Sequence, residues 1–199
     1  ATGLIVPGGR RRGANMGILR CDYPVIIDFI DAQSQRGLFE NFNLSVAVTD
    51  EFMAAVREGD RFALKHPVGG EPVETVKAAE LFDAIVRAAW QCGDPGLFFV
   101  DEVNRRNPTP QVGLIEATNP CGELPLLGFE SCNLGSINLA KMVEQDKLNW
   151  DKLRDRVHWA IRFLDNVVQV NRYPLPQIDE MTRANRKIGL GVMGFADML

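Results

Sequence analysis

The chain has 199 residues, of which 46% are hydrophobic, 24% charged and 8% aromatic, a globular composition that argues against disorder. Twenty-two Lys and Arg against 26 Asp and Glu give a formal charge of −4, so no basic field is available to hold a polynucleotide by counterion release. No apolar run approaches the ~20 residues of a membrane helix, and the opening ATGLIVPGGRRRG carries its positive charge after its apolar stretch, unlike a signal peptide.

The apolar segment Met16 to Arg20 leads into Asp22-Tyr23-Pro24, where Asp22 is placed to cap a helix through Val25, Ile26, Phe29 and Ile30 that ends at Gly37. From Phe42 to Val48, Leu44, Val46 and Val48 alternate with Asn43, Ser45 and Ala47, the two-residue period of a strand. The cap-like Thr49-Asp50 then opens a short helix. Helical spacing of Val76, Ala79, Leu81, Phe82, Ile85, Val86 and Ala89 predicts a helix from Pro72 to Gln91, stopped by Cys92-Gly93-Asp94-Pro95-Gly96. Leu97 to Val100 is a fully apolar strand. Asn104 to Leu127, rich in proline and without a period, reads as one long ordered loop with a short extended piece at Val112 to Ile115; such loops are usually functional. Ser136 to Leu139 predicts another strand. The clearest amphipathic helix runs from Trp150 to Val170 and is broken at Pro174. A short helix near Gln177 to Asn185 leads into the glycine-laced strand Lys187 to Gly194. Strands alternating with helices predict an α/β architecture with mostly parallel strands and no internal domain boundary over residues 1–199. The missing initiator Met, and an end inside the apolar Gly194-Phe195-Ala196-Asp197-Met198-Leu199, read as a piece of a longer protein.

Four scattered cysteines, Cys21, Cys92, Cys121 and Cys132, form neither a disulfide framework nor a zinc-ribbon pair, which points to a reducing, cytoplasmic setting. A metal would want four ligands; the two histidines are His66 and His158, the latter inside a helix pattern, so no metal site is expected. The strongest constellation is Asn119-Pro120-Cys121-Gly122-Glu123, with Glu130-Ser131-Cys132-Asn133 following. On an extended backbone, Asn119, Cys121 and Glu123 would share one face. The carboxylate can act as a base or hold a hydroxyl, and the amide can fix a second hydroxyl. The thiol can be a nucleophile, a radical carrier or half of a dithiol, which together suit a polyol such as a sugar. Against this stands the plain reading of both cysteines as buried structural thiols.

NPCGELPLLGFESCNLGSINLAKM resembles the finger-loop segment of the large catalytic chain of ribonucleotide reductases, and GGRRRGANMGILRCDYPVIIDFI, FNLSVAVTDEFM and RKIGLGVMGFADML resemble further family segments in the same order. The form NPCGE…ESCNLGSINL is more similar to the adenosylcobalamin-dependent, class II branch than to the class I branch, which uses a separate metal-radical subunit. The resemblance implies part of a ten-stranded α/β barrel of two parallel half-sheets, antiparallel to each other, with the finger loop threaded through its centre. It implies that Cys121 is the transient thiyl radical that removes the ribose 3′-hydrogen, that Glu123 takes the 3′-hydroxyl proton and that Asn119 binds the ribose hydroxyls. Cys132 would be one of two thiols that reduce the 2′ carbon and become a disulfide. Cys21 and Cys92 match neither position and are read as core thiols.

The resemblance also makes the opening glycine- and arginine-rich segment a loop linking effector to substrate base, with Arg11 the leading candidate and Gly13 and Ala14 close to substrate. Asn43 and Ser45 have a weaker claim, as polar residues opposite an apolar strand face. Gly189-x-Gly191-x-x-Gly194 imitates a dinucleotide fingerprint, yet a tightly packed barrel strand is preferred. The Trp150 helix, with His158 and Trp159, is a packing helix. The implied partners are a ribonucleotide substrate, deoxynucleotide or ATP effectors, a thioredoxin-like dithiol reductant and a second copy of the chain, with no membrane. Other readings are a class I chain, a non-radical redox dithiol, and a nucleotide-binding module without turnover.

Overall fold

The computed structural model describes residues 13–32 and 41–199, and the predicted Gly37 helix stop lies outside the described residues. The chain divides into two compact units, one through Leu127 and one over Gly128–Leu199. The first contains β1 (Asn15–Arg20), α1 (Ile26–Asp31), β2 (Phe42–Val48), α2 (Asp50–Glu58), β3 (Arg61–Lys65), β4 (Pro72–Lys77), α3 (Ala78–Cys92), β5 (Gly96–Phe99), α4 (Val100–Arg105), β6 (Ala117–Thr118) and β7 (Pro125–Leu126). Its sheet is parallel, in the order β1-β2-β5, with β1 and β2 in register from Asn15↔Phe42 to Arg20↔Ala47 and β2 and β5 from Ser45↔Gly96 to Val48↔Phe99.

β2 spans the predicted residues, but from Leu44 onward every residue is buried, so its alternation separates two covered faces rather than core from solvent. Val46 and Val48 join Phe52, Phe62, Leu64, Leu81 and Ile85 in one core, while Ala47 joins Phe98, Val100, Ile115 and Leu127 in another. Within the first core the Phe52 and Phe62 rings meet edge to face with centroids 5.1 Å apart. The helix on the β2 side is capped as predicted: Thr49 Oγ1 accepts the Phe52 N–H at 3.1 Å.

Three expectations for this unit need correction. Asp22 caps nothing; its carboxylate is taken by Arg20, whose Nε and Nη2 donate to its two oxygens at 3.0 and 2.7 Å, and α1 starts at Ile26 without a side-chain cap. The helix predicted from Pro72 begins only at Ala78, because residues 72–77 pair antiparallel with β3 as a hairpin. The predicted loop from Asn104 begins inside α4 and later contains the β6–β7 ribbon, and Val112 to Ile115 is not a strand.

The second unit contains β8 (Asn133–Asn138), a 3-10 turn at Leu139–Met142, the small hairpin β9 (Val143–Glu144) and β10 (Lys147–Leu148), α5 (Trp150–Val170), α6 (Pro176–Asn185), β11 (Ile188–Met193) and α7 (Phe195–Met198). β8 and β11 are parallel, in register from Asn133↔Ile188 to Asn138↔Met193. α5 has the predicted limits, is capped by Asn149 and buries Leu164 and Val168. His158 and Trp159, by contrast, are exposed. β11 runs close to β8 at Gly189, where an added Cβ would collide with Leu134 Cδ2, while Gly191, Val192 and Met193 are exposed. Both units mix parallel strands with helices, and the described strands close no barrel.

Candidate active site

The proline-rich segment is ordered by asparagine side chains rather than by regular structure. Asn104 Nδ2 donates to the carbonyls of Val100 (2.9 Å) and Ile115 (2.8 Å), and its Oδ1 accepts the Ile115 N–H at 2.8 Å. Asn107 does the same on a smaller scale, accepting from Thr109 N and donating to Gly113 O, both at 2.9 Å. These bonds supply the backbone partners that a segment outside helix and sheet must otherwise find in water.

The ribbon β6–β7 then presents Asn119 to Leu124 as its tip. Gly122 N donates to Asn119 O at 3.0 Å, closing a four-residue turn with Pro120 second and Cys121 third. Asn at the first position, Pro at the second and Gly at the fourth are the residues that favour such a turn, Pro because its φ is already set. Gly122 has φ +86°, where a side chain would be strained. The tip is therefore bent, and the single extended face expected for Asn119, Cys121 and Glu123 is not formed. Asn119 instead ties the tip together: its Oδ1 accepts the Leu124 N–H at 2.9 Å and the Thr118 hydroxyl at 3.2 Å.

Cys121 and Glu123 are exposed and Asn119 is half-buried. Cys121, Gly122 and Pro120 line a cleft of about 270 Å³ with Asn43, Ser45 and Met16. Gly13 and Ala14 lead directly into β1, whose Met16 lines that cleft; Arg11 lies outside the described residues.

Cys132 belongs to the second unit, where it is half-buried beside a separate cleft of about 300 Å³ lined also by Asn133, Arg172, Tyr173 and Thr182. Burial is the main cause that pushes its thiol above the ordinary range; Glu130 adds to the shift and Lys187 opposes it. Glu130 is buried and accepts from Asn185 Nδ2 at 2.7 Å and from Lys187 Nζ at 2.6 Å. Ser131 and Thr182 hydroxyls meet at 2.9 Å.

Comparison with known proteins fits this architecture. Residues 2–199 match the family described as ribonucleotide reductase, barrel domain. The chain belongs to that family. Over its whole length it is 53% identical to a vitamin B12-dependent ribonucleoside-diphosphate reductase of Mycobacterium tuberculosis and 52% identical to one of Thermoplasma acidophilum. It is 34% identical to a vitamin B12-dependent ribonucleotide reductase of Streptomyces avermitilis. It spans 29%, 26% and 24% of those proteins respectively, about a quarter of their length.

Within this ribonucleotide reductase segment the remaining cysteines divide. Cys21 is a core thiol as expected, fully buried, and burial pushes it from its ordinary 9.0 to about 11. Cys92 is not: it is exposed at the end of α3, its Sγ donating to Ala88 O at 3.3 Å. Asn43 and Ser45 share the cleft with Cys121; Asn43 is exposed, and Ser45 is buried rather than solvent-facing. Glu130 belongs to the constellation read from the sequence, but its partners Asn185 and Lys187 do not, since no local pattern joins residues 55 and 57 positions apart. Among the described residues no group of His, Cys, Asp or Glu is placed to hold a metal ion, and no helix is long and apolar enough to cross a membrane.

Proposed function

We propose that residues 1–199 are one segment, without an internal domain boundary, of the catalytic barrel of an adenosylcobalamin-dependent ribonucleotide reductase. The barrel would be ten-stranded, two parallel half-sheets antiparallel to each other, and the parallel β1-β2-β5 and β8-β11 groups are the pieces this segment would contribute. The substrate would be a ribonucleoside diphosphate, in line with the names of the relatives from M. tuberculosis and T. acidophilum. The single observation that carries the reading is the exposed Cys121 thiol at the third position of a turn braced by Asn119 and facing a cleft with Asn43 and Ser45.

When bound, adenosylcobalamin supplies the one-electron chemistry that makes a thiyl radical at Cys121. An exposed sulfur on a braced tip fits that demand, because the reacting atom must be reachable and held in place. Cys121 takes the 3′-hydrogen of the ribose and gives it back to the 3′ carbon once the 2′ carbon has been reduced. Glu123 takes the proton of the 3′-hydroxyl and returns it at the same stage. Asn119 Oδ1 is occupied by the Leu124 N–H, so its Nδ2 is the group offered to the ribose hydroxyls. Cys132 and a second thiol supply two hydrogens; the 2′-hydroxyl leaves as water, the 2′ carbon gains hydrogen and the two sulfurs join as a disulfide. A thioredoxin-like dithiol restores them by exchange. Arg11, Gly13 and Ala14 would carry the effector signal from a deoxynucleotide or ATP to the substrate base, in a homodimeric cytoplasmic enzyme.

The test is deoxynucleotide formation by the full-length protein with ribonucleotide, dithiol and adenosylcobalamin and no second subunit, with Cys121→Ser alongside. Turnover that the substitution reduces to background is the expected result. Turnover only after a metal-radical subunit is added would move the chain to class I. None in either condition, from folded protein, would overturn the reading in favour of a redox dithiol or a binding module.

A further inference from the structure

The backbone of the finger tip is paired without help from Thr118. Gly122 N donates to Asn119 O at 3.0 Å, Asn119 N to Leu124 O at 3.3 Å and Leu124 N to Asn119 Oδ1 at 2.9 Å, so each of these amide hydrogens has its acceptor. The Thr118 hydroxyl nevertheless donates to the same Oδ1 at 3.2 Å. Thr118 is the last residue of β6 and faces Pro125 of β7 in the register. A strand position favours a β-branched side chain, and Val meets that demand as well as Thr, so the strand does not account for the hydroxyl.

What the second bond changes is the Asn119 amide. A carbonyl oxygen accepts through two lone pairs, and the Leu124 N–H and the Thr118 hydroxyl take both. Turning the amide over would break both bonds and set Nδ2 against the Leu124 N–H, donor against donor. With Oδ1 closed in this way, Nδ2 is the group Asn119 offers to a ligand, and the ligand atom that meets it must be an acceptor. Thr118 itself lines the cleft it shares with Cys121, so the group that sets the amide lies in the wall of that cleft.

We propose that Thr118 is a positioning residue for Asn119: its hydroxyl closes the second lone pair of Oδ1 and fixes the amide as a donor to the substrate. The inference rests on the reading of Asn119 as the residue that binds the ribose hydroxyls.

The experiment is a double-mutant cycle in the full-length protein, read as kcat/KM for deoxynucleotide formation from cytidine diphosphate with dithiol and adenosylcobalamin. Thr118→Val should lower kcat/KM by roughly three- to tenfold, the span of one net hydrogen bond, and Thr118→Ser should recover most of the loss. In an Asn119→Ala background Thr118→Val should change kcat/KM by less than about 1.5-fold, because nothing is left to position. Amide exchange at Leu124 should stay within about twofold in Thr118→Val, since its own acceptor remains; a residue that merely braced the turn would speed it. Thr118→Ala serves as a second variant without the hydroxyl, and where turnover of Asn119→Ala is too slow to follow, the same cycle is read in cytidine diphosphate affinity without cobalamin. Unchanged kcat/KM in folded Thr118→Val, or an equal fall with and without Asn119, overturns the proposal and leaves the reading of Asn119 intact. Asn119→Ala with full kcat/KM and affinity overturns that reading and the proposal with it.

Discussion

Asn119 Oδ1 holds the tip by accepting the Leu124 N–H, and under the proposed function its nitrogen would stay available to a ligand. Asn119→Ala should remove the Leu124 N–H acceptor, at a cost of about 1 kcal/mol, typical of one net hydrogen bond. Amide exchange at Leu124 should accelerate by roughly fivefold, and an unchanged rate would show that the side chain does not brace the turn. Gly122→Ala makes a complementary test, because φ +86° with nothing within 4 Å of the added carbon isolates backbone strain, about 1–2 kcal/mol, from crowding. It should lower kcat for deoxynucleotide formation while leaving far-ultraviolet dichroism intact. The sequence marks Asn119, Cys121 and Glu123 as candidates but does not show their arrangement. An alternating triplet suggests a shared strand face, whereas Pro120 and Gly122 around Cys121 are the residues of a closed turn, and turn chemistry prevails over periodicity here.

Among the elements, the helices that matched expectation carry an explicit side-chain cap. α5 had a sustained amphipathic stripe opened by Asn149, and α2 had Thr49. Those that did not match are short or ambiguous. β4 was hidden because Val76 continues the helical spacing of α3, and only its hairpin partner β3, distant in pattern, makes residues 72–77 a strand. α4 has six residues, too few to show a period, starts at the last residue of the predicted strand Leu97 to Val100 and overlaps the predicted loop only at Asn104 and Arg105. The α2 cap is directly testable: Thr49 is buried, its hydroxyl satisfies an orphan N–H, and Thr49→Ala should destabilise the first unit by about 1 kcal/mol. Faster amide exchange at Phe52 in the variant, restored by Thr49→Ser, is the expected reading. Equal exchange in all three proteins would reduce the contact to coincidence.

At the scale of the whole molecule, the two faces of β2 tie global stability to what they bury, and Cys21 makes part of that dependence measurable by pH. Its folded value, about 11, lies above its ordinary 9.0, so the folded chain retains a proton that the unfolded chain releases. The contribution is complete below pH 9 and is lost as pH rises toward 11, amounting to roughly 2–3 kcal/mol across that window. The thermal midpoint of the full-length protein should fall over that interval, and Cys21→Ala should remove part of the fall. The chain on its own should behave differently from its core. Trp90 is 86% exposed, and in the second unit Phe163 and Val192 are 67% and 62% exposed. Among the described residues the β1-β2-β5 sheet has β1 and β5 as edges, and β8-β11 is a two-stranded pair with no further strand beside it. Open parallel edges and large apolar side chains in water favour association and loose packing. We therefore expect the isolated 199-residue polypeptide to be inactive, to bind a hydrophobic dye and to sediment as aggregates. A monomer with a cooperative melt in the near-ultraviolet and no dye binding would show instead that this segment is self-sufficient, and that the rest of the barrel adds catalysis rather than stability.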